Sequence, residues 1–211
     1  MNREHKTIEH FLLIAAFIPL ASYKIWASTS RPNESLLTVA CIMVFICIGI
    51  IILAYRIDKP SYFDWAICAY FISTVLLLFL MPDTGRKMIT NYAVTGIYLI
   101  LFLVSFIPPI IGMEPFTAHF ARKTSPPEVW RNPFFIRINM IMTFVWAGIF
   151  FLCILLSFYP SVITRACIPL TLIIFLGLPF NIKFPDLYLK RKGLPSREKM
   201  RELFVSNERK Q

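Results

Sequence analysis

The chain has 211 residues, of which 57% are hydrophobic, 16% charged and 15% aromatic, and its formal net charge is +10. So little polar surface excludes an ordinary water-soluble domain, while seven glycines and fifteen prolines exclude a collagen-like repeat and a Gly-rich phosphate-binding enzyme. The composition is that of an all-α, polytopic integral membrane protein.

A helix needs roughly 20 apolar residues to cross a hydrocarbon core about 30 Å thick. Six stretches meet or approach that length: residues 10–26, 36–55, 61–81, 92–112, 134–157 and 162–180. The first follows Arg3 and Lys6 as a signal peptide would, yet it ends in Ser22-Tyr23-Lys24-Ile25-Trp26 without a small-residue cleavage pattern, so it is expected to remain as a span. Lys24 lies towards the outer end of that span, where its stem can snorkel between Tyr23 and Trp26. Turn chemistry separates the spans at Ser30-Arg31-Pro32-Asn33, Asp58-Lys59-Pro60-Ser61 and Pro82-Asp83-Thr84-Gly85. Pro19 and Pro169 are expected to interrupt their helices, and Pro108-Pro109 falls near the end of the fourth.

Ionisable groups inside a span cost at least about 2.5 to 3.5 kcal/mol at its centre, so each needs a reason. Asp64 lies about one turn into the third span and Arg137 at a similar depth in the fifth, which makes them candidates for a pair. Asn139, slightly deeper, can donate and accept hydrogen bonds across a helix contact. A structural role, with Asp64 and Arg137 reaching the headgroups and Asn139 tying two helices together, is favoured over a substrate or ion site. Trp146, near the middle of the fifth span, is expected between helices rather than at a headgroup.

The fourth loop is the long one. In Glu114-Pro115-Phe116-Thr117-Ala118-His119-Phe120-Ala121-Arg122-Lys123, the two phenylalanines are four apart, so a short helix would place them on one face with Arg122 and Lys123 towards phosphates. Trp130 follows after Pro126-Pro127 as a further anchor. The segment is expected to lie in the membrane interface, or to dock a partner. The tail repeats the design, with Met200, Leu203 and Phe204 on one face of an amphipathic helix. Residues 1–180 are thus read as a helical transmembrane domain and 181–211 as a basic tail.

Seventeen of the 22 Lys and Arg residues fall on one side of this topology, nine of them in the tail. Cytoplasmic loops retain such charge, so both termini are expected in the cytoplasm. The tail and loop should then attract anionic lipid headgroups, at about 1 kcal/mol per close basic residue. Nucleic acid is not an expected partner, because no basic and aromatic binding fold is present. His5, His10 and His119 offer no facing imidazoles at matched depth. The five cysteines form no C-x-x-C pair, and neither H-E-x-x-H, a Walker loop nor a serine nucleophile elbow occurs. No cofactor, metal site or enzymatic activity is expected.

Taken in order, the Tyr23-Lys24-Ile25 end of the first span, the closely spaced spans, the basic loop, Trp130, Asn139, Trp146-Ala147 and Phe150-Phe151 resemble the bacterial intracellular septation protein A family of inner-membrane proteins. The interval from Asn139 to Trp146, the larger fourth loop and the sixth span with its tail depart from that pattern. The resemblance implies a non-catalytic scaffold in cell-envelope organisation at the bacterial inner membrane, with membrane-protein partners. A small-solute transporter, or a subunit of a larger membrane complex, is the alternative.

Overall fold

A computed structural model describes residues 34–57, 59–125, 127–159, 161 and 163–193. The expected first span, with Pro19 and Lys24, and the tail residues Met200 and Phe204 lie outside the described residues. Within them the chain is helical: α1 (Glu34–Ile57), α2 (Tyr62–Leu80), α3 (Asp83–Ile110), the short α4 (Phe116–Thr124), a 3-10 turn (Pro127–Val129) and α5 (Pro133–Ser157). A last helical run then joins α6 (Ile168–Leu172) and α7 (Leu178–Arg191), each preceded by a π-helical segment, Ile163–Cys167 and Ile173–Gly177. Among the described residues five helices are long and apolar enough to cross a membrane, which is the architecture of a multi-pass membrane protein: Leu36–Arg56, Tyr62–Leu80, Asp83–Ile110, Pro133–Ser157 and Ile168–Arg191.

Neighbouring helices pack in sequence, α1 on α2, α2 on α3, and α3 on α5. Each buries a narrow stripe at helical spacing. In α1 it is Leu36, Val39, Met43, Cys47, Ile51 and Ala54; in α3 it is Ala93, Ile97, Leu101 and Ser105. The remaining faces carry exposed apolar side chains such as Phe45 and Phe79. In lipid that exposure costs little, so association depends on close packing and interhelical hydrogen bonds rather than on escape from water. Tyr70 of α2 reaches across Gly96, whose missing Cβ leaves room for the ring, and donates its hydroxyl to the Ala93 carbonyl of α3. Thr95 and Ser157 join α3 to α5 through a 2.8 Å hydroxyl contact.

Local sequence explains several helix ends. Ser61 and Asp64 form a capping box at the start of α2, and Asn132 caps α5 by accepting from the Phe134 N–H, with Pro133 in the first turn. Pro108 and Pro109 fall in the last turn of α3, so the bonds their missing N–H groups remove are confined to its end. It closes through Gly112 at φ +81°, with Met113 N–H donating to Pro108 O at 2.8 Å and Gly112 N–H to Pro109 O at 3.3 Å. That is a Schellman ending, which glycine alone reaches without strain.

Pro169 does not break the last helix, contrary to expectation. The backbone widens into π turns before α6 and before α7, which carry Pro169 and Pro179 near their starts, and the helix continues. A proline has no N–H to donate, and a π turn shifts the hydrogen-bond ladder by one residue to absorb that loss. The run also passes through residue 180, where a tail was expected to begin, and stays helical to Arg191. Leu189 there is buried against Ile138 and Met142 of α5. Apolar residues on one side of α7, including Phe180, Phe184 and Tyr188, sustain the contact beyond the apolar run that marks the span.

Candidate functional site

Of the residues singled out in the sequence, Asp64, Phe116, Phe120, Arg122, Trp130, Arg137 and Asn139 lie at one end of the bundle, where α2 begins, α3 ends and α5 begins. α4 lies there, docked on α5 and on the first turn of α2. Its phenylalanine face is turned to the bundle. Phe116 is only 4% exposed and stacks on Phe63 of α2 with ring centroids 5.2 Å apart, and Phe120 meets both rings edge-on at 6.3 Å. The two phenylalanines do share a face, but that face points into the bundle because α2 offers an aromatic partner at the same level. Phe116 is therefore a core residue, and the half-buried Phe120 packs against the same core.

A buried hydroxyl knot fixes the same helix to α5. Thr117 donates to the Asn139 carbonyl at 2.8 Å, and its oxygen lies 2.8 Å from that of Thr143. Since the single Thr117 proton is directed to Asn139, Thr143 is the donor in the second bond. The Asn139 side chain turns back along its own helix and donates to Phe135 O at 2.8 Å. Asn139 does tie two helices together, although through its backbone carbonyl. Thr117 and Thr143 were not singled out in the sequence; the available signal was the four-residue spacing of Asn139 and Thr143, which places two polar groups on one face of an otherwise apolar helix.

The rim of this end is a charged and aromatic clasp. Arg122 pairs with Glu114 at 2.8 Å, and its guanidinium carbon lies 5.1 Å from the centroid of the Trp130 ring. The Trp130 indole N–H donates to Ser125 O at 3.0 Å, while the Tyr62 hydroxyl donates to Glu114 O at 3.0 Å. The start of α2, the α3–α4 turn and the α4–α5 turn are thereby tied together. Lys123 lies in the last turn of α4.

Burial pushes the Glu114 carboxyl above its ordinary value of 4.5, and the nearby Arg122 offsets only part of the shift. The folded protein then holds the Glu114 proton more tightly than the unfolded chain, so this residue favours folding most below about pH 4.5 and less as pH rises through its raised native value. Thermal unfolding in detergent should show that decline in wild type, and Glu114→Gln should remove it. A slope unchanged by the substitution would assign it to other groups.

Asp64 and Arg137 are not brought together. The Asp64 carboxylate accepts from the Ser61 N–H at 2.9 Å and the Ser61 hydroxyl at 3.0 Å, while the Asp64 N–H donates to Ser61 Oγ at 3.3 Å. Asp64 is thus committed to the start of its own helix. Arg137 is exposed on α5, and among the described residues the ion pairs are Arg86 with Asp83 and Arg122 with Glu114. A double-mutant cycle between Asp64→Ala and Arg137→Ala should be additive within about 0.5 kcal/mol. Asp64→Ala alone should cost about 1 kcal/mol through the lost cap. A coupling above about 1 kcal/mol would restore the pair.

No group of three or more His, Cys, Asp or Glu side chains that could hold a metal occurs among the described residues. No family model, curated protein or solved structure matches the chain. The class defined by the fold is therefore that of a helical multi-pass membrane protein, and any narrower role rests on its own residues.

Proposed function

We propose that the protein is a non-catalytic membrane scaffold of the bacterial inner membrane, with both termini in the cytoplasm and a role in cell-envelope organisation. The observation that carries the reading is the docking of α4: the buried Thr117 and Thr143 hydroxyls are spent on joining it to α5. Such a use of polar groups favours a fixed shape over a substrate path. The exposed residues of the α4–α5 turn, Glu128, Arg131 and Asn132, are where a membrane-protein partner would meet this end. The resemblance to the septation protein A family supplies the envelope role, and the asymmetry of basic residues supplies the orientation.

A small-solute transporter is the second reading, favoured by the paired π segments Ile163–Cys167 and Ile173–Gly177, because π turns recur at functional sites. Two experiments separate the readings. Photoreactive residues at positions 128 and 131 in intact membranes should capture one identified membrane protein, which a photoreactive residue at buried position 118 does not. Solute flux into liposomes holding the purified protein, together with no such capture, would overturn the scaffold and favour transport.

A further inference from the structure

With Asp64 occupied elsewhere, Arg137 is a cation on an apolar outer face. It stands just over one turn into α5, and at 100° per residue Arg137, Phe144, Gly148 and Phe151 fall within about a 60° arc of the helix. All four are exposed. Gly148 leaves a notch in this stripe, because a Cβ there would meet nothing within 4 Å. One wall of the notch is aromatic: Phe144 meets Phe106 of α3 at 6.1 Å, Phe106 stacks on Phe102 at 5.1 Å, and Phe102 meets Phe151 at 5.6 Å. Four phenylalanines from two helices therefore flank the outward stripe that runs from Arg137 to Gly148.

The dimensions match one leaflet. Gly148 lies eleven residues beyond Arg137, or about 16 Å along the helix, close to half of a hydrocarbon core about 30 Å thick. A lipid whose phosphate rests on Arg137 would therefore bring the end of an acyl chain to the Gly148 notch. The headgroup region has a second cationic side. Ile138, next to Arg137, packs with Leu189, and Lys190 and Arg191 follow Leu189 in the last turn of α7.

We infer that the outer face shared by α3 and α5 is a binding site for a single anionic phospholipid, its phosphate held by Arg137 and one acyl chain laid over Gly148 between Phe144 and Phe151. The inference needs only that these helices lie in a bilayer and is independent of the scaffold role. A guanidinium suits it because its planar donors can engage two phosphate oxygens at once, and because a lipid phosphate supplies the counter-charge that a cation at this depth needs.

Native mass spectrometry of the purified full chain tests the site, using phosphatidylglycerol and phosphatidylcholine with the same acyl chains. Wild type should retain one phosphatidylglycerol with at least about fivefold preference over phosphatidylcholine, the effect of one basic residue at an anionic surface. Arg137→Gln should abolish the preference and Arg137→Lys should keep part of it. Gly148→Leu should weaken both lipids alike by filling the notch, while Gly49→Leu on α1, also facing open space, should change neither. Both key positions are exposed, so melting temperatures should confirm intact folds. Equal binding of the two lipids by wild type, a preference that survives Arg137→Gln, or indifference to Gly148→Leu would each overturn the site and leave Arg137 a snorkelling cation.

Discussion

Replacing Phe116 by alanine should destabilise the protein by about 3 kcal/mol, near the lower end of what truncating a buried phenylalanine costs. The loss has two parts. The Phe116 ring is nearly enclosed and stacked on Phe63, so its removal leaves a cavity at the start of α2. It also loosens α4, which then presents Thr117 less firmly to Asn139 and Thr143. Phe120→Ala, at a half-buried ring, should cost less, and Phe45→Ala, at a lipid-facing side chain of α1, should be close to neutral. Denaturation in detergent micelles, followed by circular dichroism or tryptophan fluorescence, would rank the three. Equal, small effects for all of them would place α4 outside the packed bundle.

Gly177→Ala should cost between about 1 and 3 kcal/mol, the range for overpacking a tight core. Trp146 rests on the backbone of Gly177 so closely that an added Cβ would lie 2.5 Å from Cη2 and 2.8 Å from Cζ3 of its indole. The ring cannot swing away cheaply, because it is 3% exposed and stacked on Phe150 at 5.5 Å. The closeness of this contact also accounts for glycine at the end of a π segment, where the last helix run approaches α5. Trp146→Leu should make the site tolerant, so the penalty of Gly177→Ala should shrink on that background. Gly49→Ala, with nothing near its added methyl, should be neutral or mildly stabilising. A penalty for Gly177→Ala that persists without the tryptophan would point to the backbone rather than to the indole.

Five of the six expected spans were legible because membrane helices announce themselves as long apolar runs, a signal that needs no knowledge of neighbours. Helix ends carry local patterns too, Ser61 with Asp64 and Asn132 with Pro133, which a reading by apolar runs passes over. Reading Asp64 as an intramembrane partner overlooked that local use of its carboxylate. The direction in which α4 faces was not legible. Phe116 and Phe120 followed by Arg122 and Lys123 describe equally a helix lying on a bilayer and one whose apolar face is docked. The deciding residues, Phe63 and Thr143, are distant in sequence and belong to helices whose rotation only packing sets. Pro169 misled for a related reason: its missing N–H predicts a break, but helical backbone can widen locally and continue.

The docking of α4 into the bundle is tested most directly by a disulfide between its buried face and α5. The hydroxyl oxygens of Thr117 and Thr143 are 2.8 Å apart, so cysteines at both positions can bring their sulfurs to bonding distance with little backbone movement. In a variant whose five native cysteines are replaced, Thr117→Cys with Thr143→Cys should oxidise nearly completely in native membranes under mild oxidant, as read by the mass of the fragment left after proteolysis in the α4–α5 turn. Cysteine at Ala118 should at the same time resist a membrane-impermeant maleimide until the protein is denatured. If the pair at 117 and 143 stayed reduced while Cys introduced at Ala118 reacted freely in the native protein, α4 would be a surface segment with no hydroxyl knot to hold it against α5.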